Sequence, residues 1–600
     1  MTPHPIQRWL RVPLRHPRIA LACLLGALAA GATTAYFQLT SAPPPSLATF
    51  APAGALLAIE SPDFAALLHA WTGSSEQKRW LTGDDYAAFS RSRLFGRLGQ
   101  AQSEFTATAG LAPDAGFLTQ IAGNQSLLAW YDIGNLQFLY ITHLPSAANT
   151  PLLALRTRFE QRTSGDSTFY VRTQQDPDSG QTRTVAFAVR GDYLLLATRE
   201  DLLAGALALM QHPANRTLAT DAFYSNATAV ASSTSPPDLR MTLNLAAIVR
   251  SPYFRTYWVQ QNITQMKQYT AALSDLYRTS DSLREERVLI PADPEAQPTP
   301  TDLASLLSYL PPNSGVYRAV ADPSSADVLA QLEDKLLSRA PGGDHDSHTA
   351  PTADLSTPTT GDATNASFEQ RIDDPPLLTP SSSSADLAPL RALLLASPPQ
   401  AMLTYATATS PTANPADAVF LPFHTAVLLQ TTSTWDPATL QQTLRAVLTP
   451  RLSTSGLGLT WKETPSPTGT TYQLTGPQPV AFALRGRICL FASDPATLAQ
   501  LLAAPHATAP SPRIATTIAG VSARSERPAF TRLTQRLDHT AAPAPQAVLT
   551  PPTPAGPPPF FSGNIASLTA AFQDLDSETF TETTTPTRIT HQTVLYQWRR

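Results

Sequence analysis

Charge is what this sequence has least of. Asp, Glu, Lys and Arg make up 15% of its 600 residues, well below the roughly 25% of ordinary globular chains. The net charge is only −4 and no block of like charges occurs, so neither nucleic acid nor an anionic membrane surface is invited by the charge of the whole chain. Lysine is nearly absent, at Lys78, Lys267, Lys335 and Lys462 only. Of the two cysteines, Cys23 lies in an apolar run and Cys489 inside an expected strand. A bridge between them is therefore not expected, no thiol cluster is available to a metal, and the fold must stand without staples. The chain also lacks a G-x-S-x-G elbow, an H-E-x-x-H pair, a Walker loop and a dinucleotide fingerprint. No catalytic, cofactor-binding or metal-binding residue is assigned.

What is present begins with an anchor. Arg8, Arg11, Arg15 and Arg18 precede an uncharged run, Ile19 to Phe37, which as a helix reaches about 28 Å, against a hydrocarbon core of about 30 Å. No Lys or Arg follows until Lys78, so the expected topology is single-pass, with the N-terminus in the cytoplasm and the bulk periplasmic or extracellular. A cleavable signal peptide ending near "ALAAGA" is the competing reading. The apolar run continues past that site through Phe37, which favours an uncleaved inner-membrane anchor. "SAPPPS", Ser41 to Ser46, reads as a stiff spacer.

The chain then repeats itself. "VAFAVRGDYLLLATREDLLAGAL" from Val185 is echoed by "VAFALRGRICLFASDPATLAQLL" from Val480, an offset of 295. "FLYITH" at Phe138 aligns with "VLLQTT" at Val427 (offset 289), Pro52 with Pro312 (260) and Asn244 with Asn564 (320). Offsets that rise along the chain are those of one unit copied with insertions. Two insertions are expected, at 340–386 and 540–559, both too rich in Ser, Thr, Pro or Asp for regular structure. Arg190-Gly191 and Arg485-Gly486 mark hairpin turns between apolar strands. Ser251 to Arg287 carries Phe254, Trp258, Met266, Tyr269, Leu273 and Leu276 near helical spacing and is expected as one long helix or two. "RITHQTVLYQW" reads as a final strand. The expected fold class is α+β: an N-terminal transmembrane helix within 1–40, then two tandem, duplicated α+β modules with mainly antiparallel sheets at 46–290 and 305–600.

Sites for chemistry are few. Ser75 and Lys78 in "SSEQK" have S-x-x-K spacing, but no K-T-G accompanies them, and "SGN" at Ser562 only imitates a second element of such enzymes. Asp344, His345, Asp346 and His348 have ligand chemistry but fall in an insertion with nothing to fix their geometry. Tyr253, Phe254, Tyr257 and Trp258 have the spacing of a packed helical face. Arg91, Arg93 and Arg97 frame Leu94, Phe95 and Leu98, the pattern of the rim of an amphipathic helix or of a partner surface for an acidic group.

"WLTGDDYAAFSRSRLFGRL", with "AFAVRGDYLLLATREDL" and the terminal "TVLYQW", resembles a group of uncharacterised bacterial envelope proteins that contain a domain of unknown function. The resemblance implies a single-pass exported protein and supplies no catalytic residue. The resulting expectation is a membrane-anchored, non-enzymatic interaction or scaffolding protein of the envelope. Its partners would be the bilayer through the N-terminal helix and another envelope protein, with no cofactor and no nucleic acid. An envelope hydrolase or acyl-transfer enzyme and a carrier of an apolar ligand are the alternatives. If 340–386 is an insertion, deleting it leaves the melting transition of the chain nearly unchanged; loss of cooperative unfolding would make the segment structural.

Overall fold

The computed structural model describes residues 46–598 except 83–85, 87–89, 91–92, 176–181, 214–215, 232–234, 252–265, 295–297, 312–314, 338–386, 409–422, 453–459, 466–469, 476–479, 504–512 and 528–574. The expected anchor, Ile19 to Phe37, and both expected insertions lie outside these residues. No helix among the described residues is long and apolar enough to cross a membrane.

The protein is α+β, built on one antiparallel sheet. Its first ten strands are β1 (Leu57–Ser61), β2 (Ser126–Asp132), β3 (Gln137–His143), β4 (Glu160–Ser164), β5 (Ser167–Gln175), β6 (Thr182–Arg190), β7 (Tyr193–Ala197), β8 (Leu239–Leu243), β9 (Tyr269–Arg278) and β10 (Ser282–Pro291). The next ten are β11 (Val316–Ala321), β12 (Pro399–Ala408), β13 (Phe423–Thr431), β14 (Thr460–Thr464), β15 (Thr471–Thr475), β16 (Val480–Arg485), β17 (Ile488–Ala492), β18 (Thr517–Ser522), β19 (Leu575–Thr584) and β20 (Thr590–Trp598). Across the sheet the order is β4-β5-β6-β7-β3-β2-β1-β8-β9-β10, then β20-β19-β18-β11-β12-β13-β17-β16-β15-β14. The second run is the first read backwards with every label raised by ten. The two meet where β10 pairs with β20, from Ser282↔Gln597 to Leu289↔Thr590.

Register agrees as closely as order. From the Glu286↔Thr593 pair, the cross-strand row of the first run passes through Asp275, Arg240, Glu60, Leu127, Ile141 and Leu195 to Ala188. The opposite row passes through Thr581, Ile518, Ala319, Leu403, Leu428 and Leu490 to Ala483. Ala188 and Ala483 are also partners in the sequence repeat, so counting hydrogen-bonded pairs across the sheet arrives at the same offset as comparing letters. At β3 and β13 the register corrects the letters: Ile141 corresponds to Leu428, two residues away from the gapless match of Phe138 with Val427. A two-residue shift keeps each side chain on its face, so the apolar pattern alone could not detect it.

Helices cover both faces. Those used below are α1 (Phe64–Trp71), α2 (Ser75–Thr82), α3 (Arg93–Ala109), α4 (Ala115–Ile121), α5 (Glu200–Gln211), α6 (Ala222–Ala229), α7 (Ser325–Leu332), α8 (Ala388–Ala396), α9 (Pro437–Leu452) and α10 (Pro495–Ala503). On one face of the repeated hairpins, Ala186, Ala188 and Ala197 lie under α5, while Ala481, Ala483 and Ala492 lie in the core shared with α10. Small side chains let those helices approach the sheet closely. The other face carries the large residues: Val185, Phe187, Leu194 and Leu196 in one core, Val480, Phe482, Cys489 and Phe491 in another.

Three expectations are corrected. The match of Asn244 with Asn564 does not hold, because register sets β8 in the place of β18, with Arg240 against Ile518 at an offset of 278, so the offsets fall after the repeated hairpin instead of rising throughout. The second part of Ser251 to Arg287 is no helix; Tyr269, Leu273 and Leu276 lie in β9 and Arg287 in β10. Leu273 and Leu276 are also three apart in a helix, and only the strands on either side, β8 and β20, decide for the extended form. The connection at 340–386 does have a positional counterpart, because the first run fills the stretch between α1 and α4 with α2 and α3.

Phe187 and Phe482 are fully buried at 0% exposure. Tyr170 stacks on the first at 5.3 Å and Phe159 meets it edge-on at 5.0 Å; Tyr472 stacks on the second at 4.7 Å and Trp461 meets it edge-on at 5.3 Å. Truncating either to alanine should cost about 3–5 kcal/mol in denaturant unfolding; a markedly smaller loss at one would end their equivalence. Gly191 and Gly486 open the two hairpin turns at φ +56° and +59°. A Cβ at either would meet nothing within 4 Å, so Gly191→Val and Gly486→Val should cost only the backbone strain, about 1–2 kcal/mol each.

Candidate functional site

Charged residues inside apolar strands mark the place to look. Arg240 sits mid-strand in β8 and Asp275 in β9, and the register sets them opposite one another, with Glu60 of β1 on the other side of Arg240. Arg240 donates from Nε and Nη2 to the two carboxylate oxygens of Asp275, both at 2.7 Å. Asp275 is 1% exposed; a bidentate pair is what makes such burial tolerable. In the opposite run the same three positions are Ala319, Ile518 and Thr581. The charged row therefore belongs to one half alone.

Glu60 is held differently. Tyr224, on α6, donates its hydroxyl to Glu60 Oε2 at 2.8 Å. Burial raises the Glu60 carboxyl above its ordinary value, against the opposing effects of the Tyr224 hydrogen bond and the Arg240 charge. Burial and the neighbouring carboxylate in turn push the Tyr224 phenol up. Glu60, Tyr224 and Arg240 line a cleft of about 210 Å³ that also takes in Ser46, Ser61 and Pro62. The arrangement can hold a proton at Glu60 and accept a hydroxyl or amide group. Two of the Arg240 nitrogens are committed to Asp275, so the cleft is not built as an anion trap.

The floor of the cleft is fixed where the described chain begins. Leu47, Ala48 and Ala51 are at most 1% exposed. Tyr131 donates to the Pro52 carbonyl at 2.7 Å, and the Gly54 amide donates to Asp221 at 2.7 Å. On the other side of the cleft, Pro62 leads to Asp63, whose carboxylate accepts the Ala66 amide at 2.9 Å and caps α1. The first described residues therefore lie beside the start of α1.

α1 to α4 form the second candidate. Trp80 and Tyr86 meet edge-on at 6.2 Å, Tyr86 and Phe95 likewise at 6.2 Å, and Phe105 reaches Phe117 at 6.0 Å. These contacts join α2, α3 and α4 into a layer that α1 contacts through α4. Arg93 opens α3 and Arg97 follows one turn later, whereas Arg91 is outside the described residues. Ser75 and Lys78 are both exposed on α2, not enclosed as an acylating serine and its activating lysine would be. Ser562, the Asp344–His348 group and the Tyr253–Trp258 aromatics lie outside the described residues, and no cluster of metal-ligating side chains occurs among the described ones.

One trio resembles hydrolase chemistry by composition only. Asp494 Oδ2 lies 2.7 Å from His424 Nδ1, and Ser493 donates its hydroxyl to the same carboxylate oxygen at 3.1 Å. The carboxylate stands between serine and histidine, so the imidazole does not activate the hydroxyl. Asp494 instead caps α10, accepting the Thr497 amide at 2.9 Å and its hydroxyl at 2.7 Å. Burial alone would raise its carboxyl, but the Thr497 hydrogen bonds and His424 together hold it below its usual range.

Sequence reading missed Glu60, Tyr224, Arg240 and Asp275 because strand register, not linear spacing, brings them together. The usable signal was a charge within an apolar strand, in "LRMTL" and "ALSDLY". Because the folded-state value of Glu60 lies above the ordinary 4.5, its neutral form stabilises the fold fully below that value, and the contribution is lost as pH rises through the folded value. The unfolding midpoint of Glu60→Gln should therefore improve relative to the parent as pH rises above the ordinary carboxylate value. A pH-independent difference would show that Glu60 ionises as freely folded as unfolded.

Comparison with family models, with curated proteins and with solved structures returns no match for this chain.

Proposed function

We propose that this protein is a membrane-anchored, extracytoplasmic scaffold of the bacterial envelope, made of two duplicated α+β modules that share one sheet and serve as an interaction surface. The observation that carries the reading is the agreement of the two ten-strand runs in order and register about the β10–β20 seam. A broad, rigid platform follows from that arrangement, since a strand between two partners cannot shift without breaking two ladders. The resemblance to envelope proteins and the Arg-flanked apolar run before Ser46 support the location.

The outer strands suit a scaffold that must not polymerise. β4 ends one side of the sheet with Glu160 and Arg162 paired at 2.9 Å, and β14 ends the other with Lys462 and Glu463. Charged side chains on an edge strand oppose uncontrolled addition of further strands. Recognition is thereby left to the helical faces.

Protease added to intact spheroplasts should digest the part beyond the anchor and leave a short membrane-embedded fragment; a protected full-length chain would overturn the orientation. Crosslinking in intact cells should then trap a discrete envelope protein in a complex that survives purification. A chain recovered only uncrosslinked would count against scaffolding.

A further inference from the structure

The two halves differ most in their first helix. α7, which follows β11, seats Val328, Leu329 and Leu332 in the core at 0%, 5% and 2% exposure. α1, which follows β1, reads FAALLHAW and buries none of its residues, although it is the more apolar of the two. Its exposed Trp71 is joined on α2, α3 and α4 by Trp80, Leu81, Leu98 and Leu118, each 37–49% exposed. These five make up half of the large apolar side chains exposed among the described residues. Apolar exposure concentrated in one helical layer is the pattern of an interaction surface.

We infer that the α1–α4 layer docks on the outer leaflet of the same bilayer that holds the N-terminal anchor, with Trp71, Trp80, Leu81, Leu98 and Leu118 entering the headgroup region. The inference rests on the anchor proposed above and adds a second, peripheral contact. Three observations select a bilayer as the occupant. First, the described chain begins at Ser46, in the cleft that also contains Pro62, one residue before the cap of α1. Residues 38–45 can span at most about 29 Å, so α1 cannot stand far from the membrane. Second, two exposed tryptophans accompany the leucines, and tryptophan favours the boundary between headgroups and acyl chains. Third, residues 75–98 hold Lys78, Arg79, Arg91, Arg93 and Arg97 against Glu76, Asp84 and Asp85, a local positive excess in a chain of net charge −4. A stretch that combines basic and aromatic residues has the composition of an interfacial surface, complementary to anionic headgroups.

The test uses the full chain with Cys23→Ala, reconstituted in vesicles of phosphatidylethanolamine and phosphatidylglycerol; Cys489 is 2% exposed and should not react. A nitroxide is attached in turn at Leu81→Cys, Leu98→Cys and, as a control on α8, at Leu395→Cys, which is 66% exposed. Collision rates with oxygen, which concentrates in lipid, are compared with those of a water-soluble nickel complex. The expected result is an oxygen-to-nickel ratio several-fold higher at Leu81 and Leu98 than at Leu395, falling towards the control value when Trp71 and Trp80 are both replaced by serine. Equal ratios at all three positions would overturn the docking. Spin–spin broadening between labels at Leu81, with nickel access low, would overturn it in favour of a second copy of the chain. Carbonate extraction of the same vesicles reads the anchor separately: release of the chain would refute the anchor, while retention with equal ratios would refute the docking alone.

Discussion

The antiparallel ladder between β10 and β20 is the interaction on which the rest of the sheet depends. Each of these strands closes a ten-strand run, and each would otherwise present a full row of unpaired amides and carbonyls. Pairing them satisfies both rows at once and makes two sheets into one. Side chains of β10 bond within the strand and across to its other neighbour, β9. Arg287 bonds Glu285 at 2.6 Å, Glu285 accepts the Ser274 hydroxyl at 2.6 Å, and Arg284 pairs with Glu286 and lies 4.2 Å from the centre of the Tyr277 ring.

Away from the seam, the cores obey a division of labour that both halves repeat. One face of each hairpin is lined with alanine, the other with phenylalanine and branched side chains, so helices approach closely on the first and large rings interlock on the second. The layout constrains the inner strands tightly and the first helices loosely. The halves differ at α1 and α7, and at the row where Asp275, Arg240 and Glu60 stand opposite Thr581, Ile518 and Ala319. The polar cleft and the exposed helical layer both adjoin Pro62 and the start of α1.

Whole-chain charge does not report local charge. A net value of −4 gave no reason to consider a membrane surface, because the excess of arginine over acid between 75 and 98 is cancelled elsewhere. Electrostatic attraction decays within about a Debye length, roughly 8 Å at physiological salt, so the local sum decides and the total does not.

The sequence by itself determined the repeat, the hairpin turns and the apolar strands, because these depend on neighbours one to four residues away: a glycine at positive φ, an alternation of period two, a capped helix start. It also specified that Phe187 and Phe482 would play the same part, since their surroundings are copied with them. Only the tertiary structure decided that 269–291 is a hairpin and not a helix, that the repeat at β3 and β13 is offset by 287 and not 289, and that Glu60 meets Tyr224 and Arg240. Each of those outcomes is set by a strand or helix far away in the chain. Hydrogen-bond register between distant strands is a property of pairs, and no local pattern of residues encodes which partner will arrive.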